Sequence, residues 1–193
     1  MNRTATIFIS ATATIAALAL AGCAEASSSA GDTSSASSSQ AAAFNDQDVM
    51  FAQMMLPHHT QAVEMSDMLL AKDGIDGDVI TLAETIKAEQ APEIDQLTTW
   101  LKAWGQDTEA SMDHSMDGMM SDSDMDALEN ADGTDAARLF LEQMTTHHEG
   151  AVEMAQTEIE GGQNPDAVQL ATAIVSSQTD QIDTMEDLLA VIK

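Results

Sequence analysis

Tyrosine is absent from this chain, aromatic residues make up 3% of it, and 6 lysines and arginines face 33 aspartates and glutamates. So few basic groups against a formal charge of -27 argue against nucleic acid and anionic lipid surfaces as partners, because a polyanion is repelled by both. The same charge favours solubility and draws cations. One cysteine among 193 residues cannot form an internal disulfide. No histidine has a glutamate three positions before it, no His-Glu-x-x-His run occurs, and nothing supports a hydrolase triad. A di-iron oxidase, a zinc protease and a hydrolase therefore lack sequence support, and the chain is expected not to be an enzyme. What is plentiful is Ala, Leu, Ile, Val and Met, within a hydrophobic content of 44%, which suits helices packed on helices. The 14 methionines far outnumber the 4 phenylalanines and call for a reason.

The chain opens as an export signal. Arg3 is the only early charge, and Thr4 to Leu20 is an uncharged apolar run of signal-core length, short for a membrane span. Leu20-Ala21-Gly22-Cys23 resembles the lipobox of bacterial lipoproteins, which implies cleavage after residue 22 and lipidation of Cys23. Residues 1–22 then form a lipoprotein signal peptide and 23–43 a Ser/Ala-rich tether too poor in apolar groups to build a core. At roughly 5–6 Å times the square root of its length, the tether holds the domain about 25 Å from its anchor. The expected location is outside the cytoplasmic membrane, lipid-anchored on its outer face or in the periplasm. The expected partner is the membrane itself, through Cys23.

Self-comparison is the most informative step. Phe51, Met55, His58, His59, Ala62, Val63, Glu64 and Met65 match Phe140, Met144, His147, His148, Ala151, Val152, Glu153 and Met154 at an offset of 89 positions. A second block, including Asp78, Leu82, Ala83, Ile86, Gln90, Ile94 and Leu101, matches Asp166, Leu170, Ala171, Ile174, Gln178, Ile182 and Leu189 at an offset of 88. Each unit reads as two helices. Asn45 caps the first, Gly74 ends it, and Asp78 and Gly105 bound the second. Thr134 opens the third, Gly161-Gly162 closes it, and Asn164-Pro165 starts the fourth. Pro92 inside the second helix is expected to kink it. The fold class is all-α: a four-helix bundle over 44–193 built from two duplicated helical hairpins, 44–105 and 134–193, joined by a linker at 106–133. A ferritin-like crossover and two stacked hairpins both fit.

At about 100° per residue, His58 lies mid-stripe among Phe51, Met54, Met55, Ala62, Met65 and Leu69, and His59 falls near the stripe's edge. His147 sits likewise among Phe140, Met144, Ala151 and Met154. Gln90 and Gln178 are centred on the apolar faces of the second and fourth helices. A polar layer of His58, His147, Gln90 and Gln178 across the bundle follows. Buried polar groups need partners, so the layer either bonds to itself and fixes helix register or holds water or a metal. The thioethers of Met54, Met55, Met65, Met144 and Met154 lie nearby, although methionine also fills gaps in cores. Met54 corresponds to Gln143 and Leu69 to Glu158, so the first unit is expected to offer the softer site. Glu64 and Glu153 project off the stripe and are expected in solvent.

The linker carries Met112, His114, Met116, Met119 and Met120 among Ser, Asp and Gly, where there is no apolar periodicity to pack. Thioether sulfur suits Cu(I), and imidazole accepts either copper state. This is the pattern expected of copper or silver capture, the other reading being a disordered acidic loop with incidental methionines. Part of Met125 to Glu129 is expected to form a short helix.

Met54-Met55-Leu56-Pro57-His58-His59-Thr60-Gln61-Ala62-Val63-Glu64-Met65 and Met144-Thr145-Thr146-His147-His148-Glu149-Gly150-Ala151-Val152-Glu153-Met154 resemble the signature of the domain-of-unknown-function 305 family. The resemblance covers residues 46–193. It implies a ferritin-like four-helix fold, usually exported, with no activity established for the family as a whole; a cyanobacterial member is regarded as a periplasmic copper-binding resistance protein. By position, Met55, His58, His59, Met65, Met144, His147, His148 and Met154 match the motif. Gln143 departs from it. The expected function is an exported lipoprotein that binds copper, Cu(I) by preference, for buffering or resistance. The alternative is a metal-free structural or partner-binding envelope lipoprotein.

Overall fold

The computed structural model describes residues 43–108 and 118–192. The signal segment, Cys23, the tether up to residue 42, and Met112, His114 and Met116 lie outside the described residues. Five helices follow in order: α1 (Asp46–Leu70), α2 (Gly77–Trp104), α3 (Asp122–Asn130), α4 (Gly133–Gly161) and α5 (Pro165–Val191). The fold is all-α. α1 pairs with α2, α4 pairs with α5, and the two hairpins meet mainly through α1 and α4. Among the described residues no helix is long and apolar enough to cross a membrane.

Helix ends have local causes. Asn45 accepts from the N–H groups of Gln47 and Asp48, and the Asp48 carboxylate accepts from the Asn45 N–H, forming a capping box. Such a cap is worth about 1 kcal/mol. Gly105 adopts φ 70° after α2, and the Gln106 N–H reaches back to the Leu101 carbonyl. A side chain there would meet the left-handed penalty that glycine avoids. Asp76 rather than Asp78 caps α2, and Asp132 rather than Thr134 precedes α4; Gly74 stands in the turn after Ala71 ends α1. These shifts of a few residues arise because several Asp and Gly side by side can each serve as boundary. α2 runs unbroken through Pro92, and α1 through Pro57.

The short helix expected near Met125 is present and longer. Ser121 and Asp124 form its capping box, and Leu128 plugs fully into the core. Lys72 donates to the Glu129 carbonyl at 2.7 Å, which ties its far end to the α1–α2 turn.

The core is divided. One apolar cluster comprises Ala62, Met65 and Leu69 of α1, Val79 to Ile86 of α2, Ala136 to Met144 of α4, Leu128 and Met185. The other comprises Phe51, Ala52 and Met55, Leu97 to Trp104, Ala151, Ala155, and Ala167 to Ile174. In each of the four long helices the stretch between the two clusters is polar: His58-His59, Gln90 with Glu93, His147-His148, and Gln178 with Gln181. A stack of Phe44, Trp104 and Trp100, with ring centroids 4.9 and 5.9 Å apart, closes the end of the second cluster.

Candidate metal centre

The polar stretches form a layer across the bundle. His58, His59, His147 and His148 have no exposed surface, and Gln90 and Gln178 are 2% exposed. The rings of His58 and His147 meet with centroids 3.7 Å apart and planes tilted by 41°. The antiparallel crossing of α1 and α4 brings residues 89 apart in sequence face to face. The edge position expected for His59 is not what the structure shows, and His148 is equally buried. α1 packs on both α2 and α4, so its buried arc is wider than one apolar stripe.

The second histidine of each pair meets a side chain of the neighbouring helix. His59 Nε2 donates to the Glu93 carboxylate at 2.7 Å. His148 Nε2 lies 2.6 Å from Gln181 Oε1, and Gln181 Nε2 donates to the Glu89 carboxylate at 2.8 Å. Much of the remaining hydrogen-bonding capacity is unmet by the described residues. Both nitrogens of His147, Nδ1 of His59 and of His148, both amide atoms of Gln90 and Oε1 of Gln178 are buried without a hydrogen-bond partner. Leaving such a group unmet costs about 1–3 kcal/mol, so a layer of them points to a guest that completes it.

Two of its rings, His147 and His148, are held neutral. Burial pushes His147 well below the ordinary histidine range, and repulsion from His58, His148 and His59 adds to it. Burial lowers His148 to about 4, against the opposing hydrogen bond from Gln181. Neutral imidazole is the form that binds metal. Among the described residues no three His, Cys, Asp or Glu side chains converge on one point, so an ion held here would draw on thioethers as well as imidazoles. A soft ion satisfied by imidazole and thioether is the better fit.

The thioethers lie on both sides of the layer. Met65 and Met144 belong to the first apolar cluster and Met55 to the second, all fully buried, and Met154 packs against the second. Met54 and Met154 share with Met50 an open groove of about 220 Å³ between α1 and α4, also lined by Phe51 and Glu153. Met50 was not legible as a candidate because it is 43% exposed and stands off the apolar stripe. Its spacing of four from Met54 is the signal that could have found it. At the position equivalent to Met54, the Gln143 amide donates to the Asp124 carbonyl at 2.9 Å, so the second unit spends this side chain on mooring α3. Glu64 and Glu153 are exposed, as their projection required.

The linker's far end is fastened beside the layer. Gln61 of α1 donates to the Met120 carbonyl at 2.9 Å and accepts from the Met120 N–H at 2.8 Å. Gly118, at φ 84°, lies so close to α4 that an added methyl would stand 2.9 Å from the Thr146 carbonyl oxygen and 3.1 Å from that of His147. Met119 and Met120 are half-buried, and Met120 packs on the first cluster. Glu93, Glu89, Gln181 and Gln61 were not singled out by sequence reasoning, because their roles depend on which helices meet.

A helical bundle whose apolar core is interrupted by a stratum of buried imidazoles and amides is the class that this geometry defines. The chain belongs to the DUF305 family, a domain of unknown function, whose pattern matches residues 48–189. Three solved relatives are similar. A DUF305 protein from Streptomyces coelicolor, described as secreted, shares 36% identity over 75% of this chain and 92% of its own, with a TM-score of 0.70. A DUF305 fragment from Deinococcus radiodurans shares 32% over 76% and 97%, with a TM-score of 0.69. CopM in its Cu(I)-bound form shares 31% over 72% and 93%, with a TM-score of 0.62; Cu(II)-bound and Ag-bound forms of CopM are also similar. No curated protein matches the chain.

Proposed function

We propose that this protein is an exported copper-binding protein, with silver as a second cargo, that buffers or sequesters the metal and catalyses no reaction. The observation that carries the reading is the buried layer of imidazoles and amides, with unmet hydrogen-bonding atoms at His147, His59, His148 and Gln90 among the described residues. The relation to CopM, known in Cu(I)-, Cu(II)- and Ag-bound forms, supports it. His58, His59, His147 and His148 with Met54, Met55, Met65, Met144 and Met154 are the proposed bundle ligands. Met112, His114, Met116, Met119 and Met120 are the proposed capture segment, and the docking of Gly118 and Met120 beside α1 and α4 supports a handover from linker to bundle. The ferritin-like arrangement of two duplicated hairpins, the signal peptide, the lipidation of Cys23 and the membrane as partner are part of the same proposal.

Titration of residues 23–193 with Cu(I) against a competing chelator tests it, beside a variant lacking His114 and the linker methionines. Tight binding that weakens but persists in the variant is the expected result. Binding wholly lost there would confine the chemistry to the linker and leave the layer structural. Uptake no better than that of a generic acidic protein would remove copper altogether and leave a metal-free envelope protein.

A further inference from the structure

The second histidine of each His-His pair is held from outside, by residues that occupy equivalent places in the repeat. Glu93 and Gln181 are related by the same offset of 88 that relates Gln90 to Gln178. Glu93 meets His59 at 2.7 Å and Gln181 meets His148 at 2.6 Å, each at Nε2. The two units thus share one geometry and differ in one group, a carboxylate in the first and an amide in the second.

The protonation pattern follows from donor and acceptor counting. A carboxylate only accepts, so the His59 Nε2 facing Glu93 carries the hydrogen. On the other side Glu89 only accepts, so the Gln181 NH2 must face it, and Gln181 Oε1 is thereby turned toward His148. His148 Nε2 must then carry its hydrogen. Glu89 and Glu93 are one turn apart on α2, so a single face of that helix dictates both rings. What remains on each ring is Nδ1, buried and without a hydrogen-bond partner among the described residues.

We propose that Glu93 and the Gln181–Glu89 relay are positioning residues that fix His59 and His148 as Nε2–H tautomers and so present Nδ1 of each as the metal-donor atom. The metal half of this inference rests on the copper reading above; the tautomer half does not. A hydrogen-bonded carboxylate also raises the electron-donating power of an imidazole more than an amide does, so the His59 side is the better host for Cu(II). Glu93→Gln removes that difference and shifts the potential of copper bound there upward.

The experiment is nitrogen-detected NMR of the imidazoles in the apo protein, then with Cu(I). Both His59 and His148 are expected as Nε2–H. Glu89→Lys is the decisive variant. Glu89 is exposed, so the fold tolerates the change, yet a donor in its place turns the Gln181 amide round and converts His148 to Nδ1–H while His59 stays put. The His148-dependent copper affinity then falls about 10–100-fold. An Nδ1–H ring in the unmodified apo protein, or a His148 tautomer indifferent to Glu89→Lys, overturns the positioning role. Copper bound with both Nδ1 signals unmoved overturns the donor assignment. Absence of any copper binding defeats the functional proposal, and the apo tautomers still decide this one.

Discussion

His147→Leu is expected to abolish tight copper binding and, in the same molecule, to make the metal-free protein melt at a higher temperature. Both ring nitrogens of His147 are buried without a side-chain hydrogen-bond partner among the described residues, in a layer flanked by apolar clusters. Replacing an unmet buried polar group by a hydrocarbon of similar size recovers about 1–3 kcal/mol. For a domain of this size each 1 kcal/mol moves the melting point by roughly 2–4 °C. The binding side runs the other way. A ligand at 100 times its dissociation constant stabilises a native protein by about 2.7 kcal/mol, and the variant should lose that increment with at least ~100-fold of affinity. Paired thermal melts with and without Cu(I) check both halves. A variant that melts lower than the parent and still gains stability from copper would show His147 to be a structural residue.

Glu158→Gln is expected to remove most of the loss of stability between pH 6.5 and 8. Glu158 is fully buried where the end of α4 meets the start of α1. Burial, the Asp48 carboxyl beside it and the repulsion between the two raise it to about 8, with the Gln47 amide partly opposing. Asp48 cannot turn away, because it accepts from the N–H groups of Gln163 and Asn164 at 3.0 and 2.8 Å while closing the capping box of α1. The folded state therefore keeps a proton on Glu158 that the unfolded chain releases near pH 4.5. A group raised in this way contributes its full stability below pH 4.5 and loses it as pH climbs to about 8, at about 1.4 kcal/mol per unit. His147 and His148 act oppositely. Their lowered values mean that the unfolded chain takes up protons below pH 6.5 which the folded layer refuses, so stability falls as pH drops toward 4. Two such groups outweigh one in the overlap, which places the maximum near pH 6.5. Urea denaturation across pH 4–9 should give that dome, and Glu158→Gln should flatten its alkaline side while steepening its acid side above pH 4.5. An alkaline limb unchanged in the variant would exclude Glu158 as its source.

The helices, the two hairpins and the polar layer were legible because they depend on period and spacing. His58 and His147 stand mid-stripe at a fixed offset, and an antiparallel crossing must bring such residues together. Gln90 and Gln178 proved as buried as their centring required. What could not be read was partnership between helices. Glu93 and Glu89 look like solvated residues on α2 until α1 and α5 are set beside them. Glu158 was visible only as a mismatch with Leu69. Its equivalent pair, Leu69 and Ala137, is apolar core at the opposite end, whereas Asp48 and Glu158 form a carboxyl pair. Divergence between repeat copies marked the place without revealing the chemistry. The burial of His59 was missed because a single-stripe projection assumes one neighbour, whereas α1 packs on both α2 and α4 and also touches α3 and α5.

The division of the core gives the protein a one-sided optical reporter. Both of its tryptophans, Trp100 and Trp104, stack at the end of the cluster built on Phe51 and Leu97, and the cluster built on Met65 and Phe140 contains none. Ultraviolet emission therefore watches one half of the molecule, while helix dichroism watches all of it. Where the two signals part company during unfolding, the imidazole layer is the seam along which they separate.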